Sequence, residues 1–193
     1  MKKIILSVAA VFAFGFANAQ DKNESSGFSK GSMFLSGNIS YDSTKEGDLK
    51  SNQLTFSPTF GYFLTEDIAL GGRLNVLSGE NEAETKTTEF GLELFGRKYW
   101  TASSQFSLFG ELAVGFGSGK EEPAVGGEDK YKAFGVNAGI GVNYFISSAW
   151  ALEAKWAALG YNSLKFDGAD DPATSFGLGA DLSNISLGLL YKF

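Results

Sequence analysis

The sequence predicts an all-β chain, closed as an eight-stranded antiparallel up-and-down transmembrane β-barrel. Three observations carry that prediction. From residue 31 onward, apolar and polar residues alternate with a period of two, which sends successive side chains to opposite faces of a strand. The alternating runs are about 9–13 residues long, beyond the globular mode of about 5–6 and close to the roughly 9–11 tilted residues that cross a bilayer. The links between runs are alternately short and long, as a membrane barrel with turns on one side and loops on the other requires.

The chain has 193 residues, 25 of them Gly and 18 Phe, with only 3 Pro, a composition of many strands rather than of disorder. Residues 1–19 stand apart. Lys2 and Lys3 precede an apolar run that ends in Ala17-Asn18-Ala19, the three parts of a secretory signal peptide, and the run is short for a membrane helix. Cleavage there removes two of the 16 Lys and Arg residues, against 22 Asp and Glu, and takes the net charge from −6 to −8. Such an acidic exported protein is unsuited to nucleic acid. Residues 20–30, polar and without a period, are expected to form a flexible periplasmic lead-in. Residues 31–193 form the barrel domain.

Eight strands follow in order. The first, about 31–42, sets Met33, Leu35, Ile39 and Tyr41 against Ser36, Asn38 and Ser40. The second, about 51–63, sets Leu54, Phe56, Phe60 and Tyr62 against Gln53, Thr55, Ser57 and Thr59, with Pro58 mid-strand, where a bulge or weakened pairing is expected. The third, about 68–78, sets Ile68, Leu70, Leu74 and Val76 against Arg73 and Asn75. The fourth, about 87–100, sets Phe90, Leu92, Leu94 and Trp100 against Glu89, Glu93 and Arg97. The fifth, about 105–117, sets Phe106, Leu108, Leu112, Val114 and Phe116 against Ser107 and Glu111. The sixth, about 132–145, sets Phe134, Val136, Ile140, Val142 and Tyr144 against Asn137, Asn143 and glycines. The seventh, about 150–161, sets Trp150, Leu152, Ala154 and Trp156 against Glu153 and Lys155. The eighth, about 182–193, sets Ile185, Leu187, Leu189, Tyr191 and Phe193 against Asn184, Ser186, Gly188 and Lys192.

Alternation alone also fits a soluble barrel with inverted faces. Aromatics clustered at strand ends, strictly alternating link lengths and a polar face of small residues favour the membrane. Lipid cannot satisfy a sheet edge, so the first strand must pair with the eighth. The apolar face then meets lipid. Tyr62, Tyr99, Trp100, Phe106, Tyr144, Trp150 and Tyr191, near the short turns, are expected to form an aromatic girdle; Tyr41, Phe90, Phe116, Phe134 and Tyr161 are placed to form a second. The polar face fills a lumen with room only for its own side chains. Arg73, Glu89, Glu93, Arg97, Glu111, Glu153, Lys155 and Lys192 share it and nearly neutralise one another. A buried charge persists only when paired, so these eight are read as a lumen ion-pair network.

Residues 57–72 (SPTFGYFLTEDIALGG), 143–154 (NYFISSAWALEA) and 185–193 (ISLGLLYKF) resemble small bacterial outer-membrane β-barrel proteins, the porin-like outer membrane protein beta-barrel domain of the OmpX and OmpA transmembrane-domain type. The resemblance implies an outer-membrane location after export, and a C-terminal signal for the barrel-assembly machinery made of Ile185, Leu187, Leu189, Tyr191 and Phe193. Those residues also read simply as the lipid face of the last strand.

With no His and no Cys, a Ser-His-Asp triad, a His-based zinc site and thiolate catalysis are excluded. The carboxylate pairs Glu89/Glu93 and Glu111/Glu153 read as salt-bridge partners rather than acid–base catalysts. Asp167, Asp170 and Asp171 lack the spacing of a calcium loop. No catalytic residue, cofactor or metal is expected. The partners expected are outer-membrane lipid and the assembly machinery, the barrel is expected to be a monomer, and no partner of the loops is legible. The sequence reads as a non-enzymatic barrel, structural or surface-exposed with long extracellular loops. A small porin-like channel for ions or small solutes is the alternative, and passage of apolar ligands through a lateral opening near Pro58 is a third reading.

Overall fold

The computed structural model describes residues 26–46, 49–178 and 186–193. The segment read as a signal peptide, Ile185 and the side chain of Trp156 lie outside the described residues. The strands are β1 (Met33–Glu46), β2 (Leu49–Phe63), β3 (Ile68–Glu80), β4 (Lys86–Tyr99), β5 (Phe106–Glu122), β6 (Asp129–Phe145), β7 (Trp150–Phe166), β8 (Ala173–Leu178) and β9 (Ser186–Lys192). Neighbours from β1 to β7 pair antiparallel. Both β8 and β9 pair with β7, so together they make the eighth stave. The ring closes where β9 meets β1, from Phe34↔Lys192 to Gly37↔Leu189. Beyond that ladder Met33 and Phe193 exchange backbone hydrogen bonds of 3.1 and 2.9 Å. The architecture is an eight-stranded antiparallel barrel with no sheet edge at its closing level.

Two of the short turns share one design, which accounts for the likeness of FLTEDIAL and FISSAWAL. Leu64 N–H donates to Ile68 O and Ile146 N–H to Trp150 O, both at 2.9 Å. The hydroxyl of the next residue caps the turn: Thr65 Oγ1 accepts from Ile68 N–H at 3.0 Å, and Ser147 Oγ accepts from Trp150 N–H at 3.0 Å. A β-hydroxyl residue satisfies a turn amide without lengthening the loop.

The opposite connections are shorter than expected. β5, β6 and β7 each run for 17 residues, well past the roughly 9–11 that a bilayer needs. The polar stretches read as long loops are mostly strand; between described strands they shrink to 81–85, 123–128 and 167–172. Charged side chains alternating on a strand continue the ladder once the lipid is left behind.

The ladder breaks in two ways. β7 carries one extra residue opposite Ala138/Gly139, a β-bulge. Even-numbered residues of β7 face outward below it and odd-numbered ones above it, which is why Tyr161 and Leu159 are exposed on the outer face although Glu153 faces in. In β2 the β3 ladder skips Ser57 and Pro58 and resumes in the same register, so of the two outcomes expected at Pro58 the weakened pairing is found, without a bulge. Pro58 still pairs with Gly37 on the β1 side. Proline has no N–H to give to the ladder, which is why the gap falls here.

Candidate functional site: a closed lumen

Inward-facing positions at mid-barrel bring six ionised side chains together. Arg73 of β3 donates to Glu93 of β4, and its Nη2 lies 3.0 Å from both oxygens of Glu111 on β5. Arg97 of β4 donates Nε to Glu111 Oε2 at 2.7 Å and Nη1 to Glu153 Oε2 at 2.7 Å. Lys155 Nζ donates to Glu111 Oε1 at 2.8 Å. Thr59, Tyr99 and Asn143 complete the set. Thr59 Oγ1 accepts from Arg73 Nε at 3.2 Å, Asn143 Nδ2 donates to Glu153 Oε2 at 2.9 Å, and Tyr99 OH donates to Asn143 Oδ1 at 3.2 Å. Three cations meet three carboxylates, so the cluster is neutral. Arg97 is only 1 % exposed. Charges this deep persist because each guanidinium is met by several acceptors.

Beneath the cluster, at the end with the short turns, aromatic rings close the floor. Arg97 lies over the rings of Phe109, Phe95 and Phe34, at 4.2, 4.9 and 5.3 Å from their centroids, so the cation is held by π faces as well as carboxylates. Phe28 stacks on Phe63 at 4.6 Å and meets Phe145 edge-on at 5.0 Å. Phe28 belongs to the stretch read as a flexible lead-in. From residue 26 that stretch is instead docked across the barrel end. Phe28 N–H donates to Ala102 O at 2.6 Å, and Lys192 Nζ donates to Gly27 O at 2.9 Å. Gly27 has φ +100, and a Cβ there would lie 2.6 Å from Ala102 O, so only glycine fits.

The eight residues grouped by sequence therefore separate by height. Arg73, Glu93, Arg97, Glu111, Glu153 and Lys155 form the cluster. Lys192 lies at the floor, and Glu89 lies above, where it accepts a hydrogen bond from Tyr131 OH at 2.9 Å. Of the girdle residues, Tyr62, Trp100, Phe106 and Tyr144 are exposed on the outer face. Tyr99 is a correction: it points inward, fully buried, because it shares the parity of Glu93 and Arg97. Tyr191 is also buried, covered by Trp150 at 4.9 Å and by Phe193. Each aromatic pair before a short turn is split by the strand period, with Tyr62, Trp100 and Tyr144 outside and Phe63, Tyr99 and Phe145 inside. The inward aromatics Phe34, Phe95 and Phe109 were missed in the sequence, although they sit on the polar parity of their strands. Leu187 and Leu189 are exposed outward.

Beyond the membrane-spanning part, Glu128 accepts from Lys120 and pairs with Lys130, each at 3.0 Å. Those hydrogen bonds hold the Glu128 carboxyl below the ordinary carboxylate range.

A family model described as "Outer membrane protein beta-barrel domain" matches residues 6–193. No curated protein matches the chain. Among solved structures, the chain is similar to the outer membrane protein OprG from Pseudomonas aeruginosa, with 14% identity, 88% of this chain and 99% of that chain covered, and a TM-score of 0.57. Neisserial surface protein A (NspA) is similar at 12% identity, with 85% and 100% covered and a TM-score of 0.56. Ail, the attachment invasion locus protein of Yersinia pestis, is similar at 15% identity, with 85% and 99% covered and a TM-score of 0.50. At these identities the likeness is one of fold, and it is to outer-membrane barrels. The family match over nearly the whole length joins that fold to an alternating sequence with a closed polar interior, and the chain belongs to the outer membrane protein beta-barrel domain family.

Proposed function

We propose that the chain is a non-enzymatic, non-conducting outer-membrane barrel that acts through the strands projecting from one end. The observation that carries this reading is the double closure of the lumen, by the Arg97–Glu111–Glu153 cluster and by the aromatic floor around Phe28. An ion crossing here would have to part charge-assisted bonds among side chains that are almost fully buried.

In this reading the short turns and both ends of the chain face the periplasm, and the charged hairpins of β3–β4, β5–β6 and β7–β8 face outward. Export by residues 1–19, delivery to the assembly machinery through the C-terminal strand, and a monomeric state complete it. Purified barrel in planar lipid bilayers tests it. Only baseline current is expected at moderate voltage, and large steady single-channel steps would establish the channel reading instead.

A further inference from the structure

The lumen contains two kinds of inward glycine. At Gly61, Gly71, Gly119 and Gly141 the space of a side chain is filled by a neighbouring ring; an added Cβ would lie 2.2 to 2.4 Å from Phe34, Phe95, Tyr131 and Phe109. At two other inward glycines the space is left open. A Cβ on Gly91 or Gly115 would meet nothing nearer than 3.5 and 3.8 Å. These glycines open a cavity of about 280 Å³, lined among others by Asn75, Glu89, Glu93, Asn137 and Asn162. Two more glycines let amides lean inward: the Oδ1 atoms of Asn162 and Asn137 lie 2.8 Å from where a Cβ on Gly135 and Gly160 would be. A second cavity of about 310 Å³, lined by Gln53, Thr87 and Asn81 among others, adjoins the first at Glu89.

The chemistry of this space is one-sided. Among the described residues neither cavity is lined by a lysine or an arginine. Glu93 is neutralised by Arg73. Glu89 has no cation paired with it among the described residues; its Oε2 accepts from the neutral Tyr131 hydroxyl. Glu80, which lines the second cavity, likewise has no cation paired with it among the described residues. Of the two uncompensated carboxylates, Glu89 stands at the junction of the cavities, among amide and hydroxyl groups. The ligand that completes such a site is a cation with several N–H donors, a slender shape and no need of an aromatic platform.

We infer that this cup binds a linear aliphatic amine of the diamine or triamine class. Its ammonium sits on Glu89, its donors reach the Asn75, Asn137 and Asn162 amides, and its methylene chain lies over Gly91 and Gly115. The inference rests on the closed-lumen reading, because a blind cup retains what an open pore would pass.

Calorimetric titration of spermidine into the detergent-solubilised full chain tests it at low ionic strength. Saturable binding is expected. Glu89→Gln should weaken it roughly ten- to hundredfold, as loss of a charge-assisted contact does. Gly91→Val, which fills the cavity while keeping every charge, should also weaken it. Glu82→Gln, on an exposed turn, should leave it unchanged. Each variant must still shift between folded and boiled positions on a gel. No saturable binding, or equal binding by the wild type and folded Glu89→Gln, overturns the inference. Conductance is read separately: channel steps with Glu89-dependent binding would remove the closed-lumen reading and keep the amine site, whereas a silent bilayer with no binding would do the reverse.

Discussion

Arg97 shows what one residue does for this barrel. It is held by Glu111 and Glu153 on two other strands and by three aromatic faces, so it ties β4 to β5 and, across the lumen, to β7. Removing it would leave two carboxylates buried without their main partner. Arg97→Ala is therefore expected to lower stability by about 3–5 kcal/mol, the cost of breaking a buried pair. Urea unfolding in detergent, followed by tryptophan fluorescence, measures it. Lys98→Ala is the contrast. Its partner Asp67 is half exposed, and an exposed pair is worth about 0–1 kcal/mol.

At the scale of the strand, glycine placement is tied to aromatic placement. Gly71 on β3 lies under Phe95 of β4, and a Cβ there would lie 2.3 Å from that ring and 2.2 Å from Phe60 O. Gly71→Ala would force both ring and backbone to shift, at an expected cost of about 1–3 kcal/mol. Gly37, also in a strand, has nothing within 4 Å of the same position, and Gly37→Ala should fall within about ±0.5 kcal/mol. Equal midpoints of thermal unfolding for the two variants would dismiss the interlocking of ring and glycine. The same strands show how charge continues past the lipid. On the β5–β6 hairpin Glu128 is held ionised by Lys120 and Lys130. Its lowered folded pKa makes its contribution fully present above the ordinary carboxylate range and lost as pH falls below that range through the lowered folded value. Protection of the amides at that hairpin tip, taken as exchange relative to the intrinsic rate at each pH, should fall on acidification, and less so in Glu128→Gln.

For the molecule as a whole, the inside–outside partition is the quantity to test. Leu92 is 45 % exposed on the outer face, while Asn137 lines the lumen cavity. Leu92→Arg should cost about 2–4 kcal/mol, as an arginine near the bilayer midplane does. Asn137→Arg, in the lumen cavity that Glu89 and Glu93 also line, should cost less. Refolding into lipid vesicles at a series of urea concentrations gives both values, and the opposite order would exchange the two faces.

Much of this architecture was legible because a strand in a membrane has so few options. A period of two, run lengths suited to a bilayer and the need to satisfy every edge together dictate a closed barrel, and they put Leu92, Leu94 and Leu112 outside and Arg73, Glu93 and Glu111 inside. Parity also held Tyr99 to the inner face, although its place beside Trp100 near a turn suggested a girdle. Other features depend on which strand lies beside which. The one-residue bulge in β7 reverses parity for Tyr161 without any local mark. The separation of Glu89 from the ion cluster depends on the stagger between strands, which alternation does not encode. Phe28 gains its role only when eight staves present it with Phe63, Tyr99 and Phe145 at one level. Sequence by itself therefore determined the fold class and most side-chain faces, because those follow from local periodicity and the solvent on each side. Tertiary structure alone decided the heights along the axis, and with them which charges pair, which rings seal the floor and where a cup remains open, because height is set by the register between strands.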